Sequence, residues 1–94
     1  MYNNFPAQVA AVFDTDGKIR PRWVRFRSHL GELITLNDLT IEKENRDNAP
    51  SKVFMCSTYM YGRKYSFCIS YHYREHAWML LYRNNAADYD YLFS

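Results

Sequence analysis

From Gln8 onward the chain alternates apolar and polar residues with a period of two, and no window of 11 residues carries an apolar stripe at helical spacing. The pattern is that of β-strands with one buried face. Gln8 to Asp14 reads as the first strand, after a lead-in that ends at Pro6. Asp14-Thr15-Asp16-Gly17 reads as a turn, because Gly takes positive φ without a steric cost and Asp bonds its own local backbone. Lys18 to Arg27 then leaves that turn as a second strand. In its first half Lys18, Arg20 and Arg22 alternate with Ile19, Pro21 and Trp23. After Trp23 the phase slips, and Val24 and Phe26 alternate with Arg25 and Arg27. A skipped step in a period-two pattern predicts a β-bulge near Trp23-Val24, and a bulge bends its strand. Pro21 lacks an N–H, which predicts an edge or irregular position for its part of the strand.

The remaining punctuation is short. Ser28-His29-Leu30-Gly31 reads as a turn, Glu32 to Leu36 as a short strand, Asn37-Asp38 as a turn, and Leu39 to Asn45 as a returning strand. A helix over Leu36–Leu39 would be too brief to stand alone. Arg46 to Ser51 is the clearest loop. Lys52 to Tyr61 and Tyr65 to Tyr73 are strands rich in aromatic and β-branched residues, joined as a hairpin by Tyr61-Gly62-Arg63-Lys64. The first of them is apolar on both faces, as a central strand is. In the second, Tyr65, Phe67, Ile69, Tyr71 and Tyr73 share one face, and Ser66, Cys68, Ser70 and His72 the other. Arg74-Glu75-His76 turns into a last strand, Ala77 to Arg83. Beyond Asn84 the periodicity is lost, which leaves three forms open: a frayed tail, a single helical turn, or a segment docked through Tyr89, Tyr91, Leu92 and Phe93. The fold class expected is mainly β: about six antiparallel strands in a small barrel or strongly curved meander sheet. One domain is expected over residues 1–94, with an ordered core at about 6–83.

Composition narrows the class. At 48% hydrophobic and 18% aromatic residues the chain can fill a packed core, which excludes a disordered chain. The N-terminus has no basic and apolar leader pattern. The longest apolar run, Ala77 to Tyr82, is far short of the roughly 20 residues that span a bilayer. A soluble cytoplasmic protein with no membrane partner is expected. Cys56 and Cys68 fit no metal-ligand spacing. A disulfide would need a register that sets them opposite each other, and two buried thiols are the favoured reading in a reducing compartment.

Charge is uneven along the chain. Residues 1–30 carry five Lys/Arg against two Asp, a net of +3, and residues 31–50 five Asp/Glu against two Lys/Arg, a net of −3. Arg20, Arg22, Arg25 and Arg27, with Trp23 among them, are the candidate binding residues. Cations at roughly 6.5–7 Å intervals along a strand suit phosphates, and Trp23 and nearby tyrosines suit base stacking. The competing reading is a solvated face neutralised by Glu32, Glu42 and Glu44 on neighbouring strands. An acidic protein partner is the third.

Other candidate chemistry is thinner. Asp14-x-Asp16-Gly17 resembles the start of a calcium loop but lacks its length and terminal Glu, so no metal is expected. Tyr71, Tyr73, Glu75 and His76, with His72 nearby, have catalytic composition, yet they fit no nucleophile motif and read as turn polarity. No catalytic residue and no cofactor are expected. Nine tyrosines exceed what so small a core needs, so part of them is expected on the surface, for a partner or for self-association.

The segment AVFDTDGKIRPRWVRF, followed later by HYREHAWMLL, resembles a group of small uncharacterised bacterial proteins. In those a Phe-Asp-x-Asp-Gly turn leads into an Ile-x-Pro strand, and a His-x-Trp-x-Leu-like strand closes the domain. His76-Ala77-Trp78-Met79-Leu80 matches that ending, and the resemblance spans most of residues 6–82. It implies a compact β-rich domain and assigns no activity. The expected function is a binding or interaction module without enzymatic activity. The alternatives are a nucleic-acid-binding small barrel and a homodimerising structural subunit.

Overall fold

The structure is a computed structural model that describes residues 2–46, 49–83 and 85–93. Seven strands form one antiparallel sheet: β1 (Tyr2–Phe13), β2 (Ile19–Arg27), β3 (Leu33–Leu36), β4 (Thr40–Glu44), β5 (Ser51–Met60), β6 (Arg63–His72) and β7 (Ala77–Arg83). A 3₁₀ helix, η1 (Ala86–Leu92), follows.

The order across the sheet is β3-β2-β1-β7-β6-β5-β4. Two meanders, β1 to β3 and β4 to β7, are therefore joined by pairing of the first strand with the last. This order sets the shape. β3 and β4 lie at opposite edges, yet only Asn37-Asp38-Leu39 separates them. Four residue steps reach at most about 14 Å, so the sheet curls until its two edges approach at that corner, forming a half-barrel. The corner is held on both sides: Thr58 Oγ1–H donates to the Asn37 carbonyl at 2.7 Å, and the Leu39 N–H to the Arg22 carbonyl at 3.3 Å.

Two turns show how local sequence fixes register. In the first, the Gly17 N–H donates to the Asp14 carbonyl at 2.9 Å and Asp16 Oδ1 accepts from the Lys18 N–H at 3.2 Å. Gly17 sits at φ +82°, where a Cβ would be strained. Between β5 and β6, Met60 pairs with Arg63, so the turn is two residues long, Tyr61-Gly62, with φ of 53° and 75°. Two left-handed central residues make the primed turn whose twist matches the strands it joins.

The inner, concave face carries the main core. Phe54, Cys56, Ile69 and Val24 are fully buried, with Leu36, Phe67 and Leu80 around them. Phe54 stacks on Trp78 with ring centroids 6.3 Å apart. A second core lies on the outer face of β5, β6 and β7. Val53, Cys68 and Leu81 are covered there by Tyr89, Leu92 and Phe93 of the tail. Of the three forms left open for the tail, the docked one holds, through Tyr89, Leu92 and Phe93, and the helical part runs over the seven residues of η1 rather than a single turn. Tyr91 stays exposed.

Several expectations shift. β1 begins at Tyr2 rather than Gln8, with Pro6 inside it and paired to Met79 of β7. The β1–β2 ladder ends at Ala7, so at Pro6 the β2 side of the strand needs no donor. The bulge in β2 lies just before the expected step: Ala10 pairs with Trp23 and Ala11 with Pro21, leaving Arg22 as the extra residue. Pro21 and Val24 are thereby both buried despite their odd spacing. A second bulge, at Glu42, breaks the alternation expected along β4. Cys56 faces Phe67, and Met55 faces Cys68. A one-residue offset puts the two thiols on opposite faces of the sheet, and both are free and buried.

Candidate functional site

The outer side of β2 carries the candidate binding residues. Before the bulge Ile19 and Pro21 point inward and Arg20 outward. Beyond it Val24 and Phe26 point inward, and Trp23, Arg25 and Arg27 outward. The bulge is what keeps all four arginines and the indole on one side, since a strictly alternating strand would bury Arg25 and Arg27. Arg20, Arg22 and Arg27 are exposed, and Trp23 and Arg25 half-buried. Their cross-strand neighbours on β1 are small or neutral: Ala10 beside Trp23, Gln8 beside Arg25 and Val12 beside Arg20. Among the described elements η1 covers the outer face only on the β5–β7 side. The β1–β2–β3 side is bare, with Val12 and Leu33 exposed beside the arginines.

Each arginine is held differently. Arg20 forms an ion pair with Asp14 across the first turn, and that hydrogen-bonded carboxylate raises the Arg20 pKa. Arg25 donates Nε–H to Thr35 Oγ1 at 3.0 Å, and its guanidinium carbon lies 5.1 Å from the Trp23 ring centroid. The cation–π contact and the hydrogen bond together hold the guanidinium over the indole face. Arg27 donates to the Gly31 carbonyl at 2.7 Å, closing the Ser28–Gly31 turn. The Arg22 side chain, on the bulge, has no hydrogen bond or ion pair to any described residue.

The expected neutralisation by the acidic segment takes another form. β4 lies at the far edge of the sheet, against β5. Glu42 pairs with Lys64 at 2.8 Å and accepts from Ser57 at 2.9 Å. The Lys64 ammonium first, then the Ser57 hydroxyl, hold its carboxyl below the usual range. Glu44 pairs with Lys52 at 3.2 Å and adds a weak through-space attraction to Arg20. Among the described residues the carboxylate of Asp14, which the sequence pattern reads only as a turn residue, is the one that pairs with a β2 arginine. Thr35, which braces Arg25, also goes unnoticed there, because cross-strand partners depend on register.

The cluster with catalytic composition spreads over a turn. Tyr71 Oη and His76 Nδ1 lie 3.3 Å apart, and Tyr71 and Tyr73 meet edge to face at 5.6 Å. Glu75 and His76 are exposed. His72 Nε2 is 2.9 Å from Ser70 Oγ on the outer face, the side opposite Tyr71. Among the described residues no three His, Cys, Asp or Glu side chains converge as metal ligands, and no helix is long and apolar enough to cross a membrane. Comparison with protein-family models, curated proteins and solved structures finds no match.

Proposed function

We propose that this protein is a non-catalytic binding module whose outer β2 face engages a phosphate-bearing polymer, single-stranded nucleic acid in particular. The observation that carries the reading is the absence of a carboxylate partner on Arg22, Arg25 and Arg27 among the described residues, while Glu42 and Glu44 are occupied by lysines elsewhere. Three cations along a bare strand would displace counterions from a phosphate backbone. Arg25, already ordered by Thr35 and Trp23, would lose little side-chain freedom on binding. The half-exposed indole of Trp23 offers a stacking surface beside it. Two free thiols fit a reducing compartment, and the cytoplasm is the location proposed.

Anisotropy of a labelled oligothymidylate, titrated at several salt concentrations, tests this. Binding should weaken steeply with salt, by about 0.7 in the log–log slope per phosphate contact. Arg22→Glu and Arg25→Glu should each weaken it further. No binding at low salt removes the reading.

A second reading, self-association, is favoured by the β3 edge, where Leu30 and Leu33 are exposed beside a strand paired on one side only. A mass that stays monomeric at high concentration by light scattering removes that one.

A further inference from the structure

The ladder between β6 and β7 runs from His72–Ala77 to Cys68–Leu81 and stops there, although β6 begins at Arg63 and β7 continues to Arg83. At this end of the half-barrel the two strands part. Two cavities meet at the parting, and Tyr65, Ser66 and Tyr82 line both.

The two cavities differ in chemistry. The inner one, about 250 Å³, lies on the concave side and is walled by Phe5, Phe26, Leu36, Met60, Phe67 and Leu80. It has no charged residue in its lining. The outer one, about 580 Å³, is lined by Arg63, Lys64 and Arg83 against the single carboxylate of Glu42. Glu42 is held by Lys64, which leaves Arg63 with no carboxylate partner among the described residues. Arg83 is nine-tenths buried, with its guanidinium donating to Asn4 Oδ1 at 2.9 Å and to the Tyr82 carbonyl at 3.1 Å.

We propose that this pair of cavities is a binding site for a small amphipathic anion, with a medium-length acyl or aryl body in the inner cavity and a carboxylate among Arg63, Lys64 and Arg83. Size and charge select this class together. An apolar cavity of about 150 Å³ holds a benzene, so about 250 Å³ holds roughly ten carbon atoms. An uncharged ligand of that size would leave the cationic half unused, and a polar anion would leave the apolar half dry. The tyrosines at the junction suit the point where the ligand changes character, with an apolar ring and a polar tip each. The site is separate from the arginine face of β2 and stands whether or not that face binds a polymer.

Decanoate and decanol, below their aggregation concentrations, are the probes. Binding is followed by two-dimensional NMR of the wild-type chain and of Arg63→Glu, an exposed position whose replacement leaves both cores intact. Decanoate should bind saturably and shift the signals of Phe5, Leu36 and Leu80. Arg63→Glu should weaken decanoate by about tenfold, the scale of one charge-assisted hydrogen bond, and leave decanol unchanged. Equal binding of decanol and decanoate, or an Arg63→Glu chain that binds decanoate as well as the wild type, overturns the proposal. So do shifts confined to other parts of the molecule, or no saturable shift at all.

Discussion

The Tyr89 hydroxyl accepts the backbone N–H of Arg83 at 2.8 Å, tying η1 to the last residue of β7. Tyr89 is buried against Val53, Cys68 and Leu81, so the tail is a cover of the outer core rather than an appendage. Tyr89→Phe keeps the ring and removes the acceptor, leaving a buried N–H to find another. The loss expected is about 1–3 kcal/mol. Tyr89→Ala removes the ring as well, at about 3–5 kcal/mol. Urea unfolding measures both, and equal midpoints for Tyr89→Phe and the wild type would mean that apolar packing alone docks the tail.

The two thiols make stability depend on alkaline pH. Burial pushes Cys68 up from its ordinary 9.0 to about 12. Burial first, then the neighbouring Cys68 and Glu42, pushes Cys56 up as well. Burial also raises Tyr89. The folded chain therefore holds these protons more tightly than the unfolded chain. Their contribution is complete below about pH 9, where both states are protonated, and is lost as pH rises toward the folded values. The loss is about 1.4 kcal/mol per pH unit for each thiol. Urea midpoints should be flat up to about pH 8.5 and fall beyond it. The double substitution Cys56→Ala, Cys68→Ala should flatten the fall, and an unchanged slope in that variant would refute the assignment.

The β5–β6 turn carries an avoidable cost. Tyr61 is almost fully exposed, yet it sits at φ 53°, a conformation that disfavours residues other than Gly, Asn and Asp. Tyr61→Asn should raise stability by about 1 kcal/mol, and Gly62→Ala should lower it by about 1–2 kcal/mol. Thermal unfolding of the two variants should move in opposite directions. A shift of the same sign in both would show that the turn is not of the primed type.

The strands and turns were legible in the sequence because each depends on neighbours in the chain: the period-two pattern, Gly17, and Ala77 to Arg83 with its exact bounds. What depends on pairing was not. The opposite faces of Cys56 and Cys68 follow from a one-residue register that neither strand encodes alone. The sequence reads Pro6 as the end of a lead-in, and it is the end of the β2 ladder at Ala7 that lets a proline sit inside β1. The arginine strand was legible as a pattern. Its counter-charges were not, since Glu42 and Glu44 are carried to the opposite sheet edge by a three-residue corner.

The four arginines should therefore be unequal toward a polyanion. Arg20 is already held by Asp14, so recruiting it means breaking an ion pair. Among the described residues Arg22 has no such partner to give up. Arg22→Gln should lower the log–log salt slope for oligothymidylate by about 0.7, the value of one released contact on a single strand, and Arg20→Gln should leave it nearly unchanged. Asp14→Asn should act in the opposite sense, releasing Arg20 and raising both affinity and slope. In the double variant Asp14→Asn, Arg20→Gln the gain should vanish, which separates a freed Arg20 from a general change in net charge. Equal slopes for Arg20→Gln and Arg22→Gln would mean that the polymer is attracted by net charge alone and does not lie along β2.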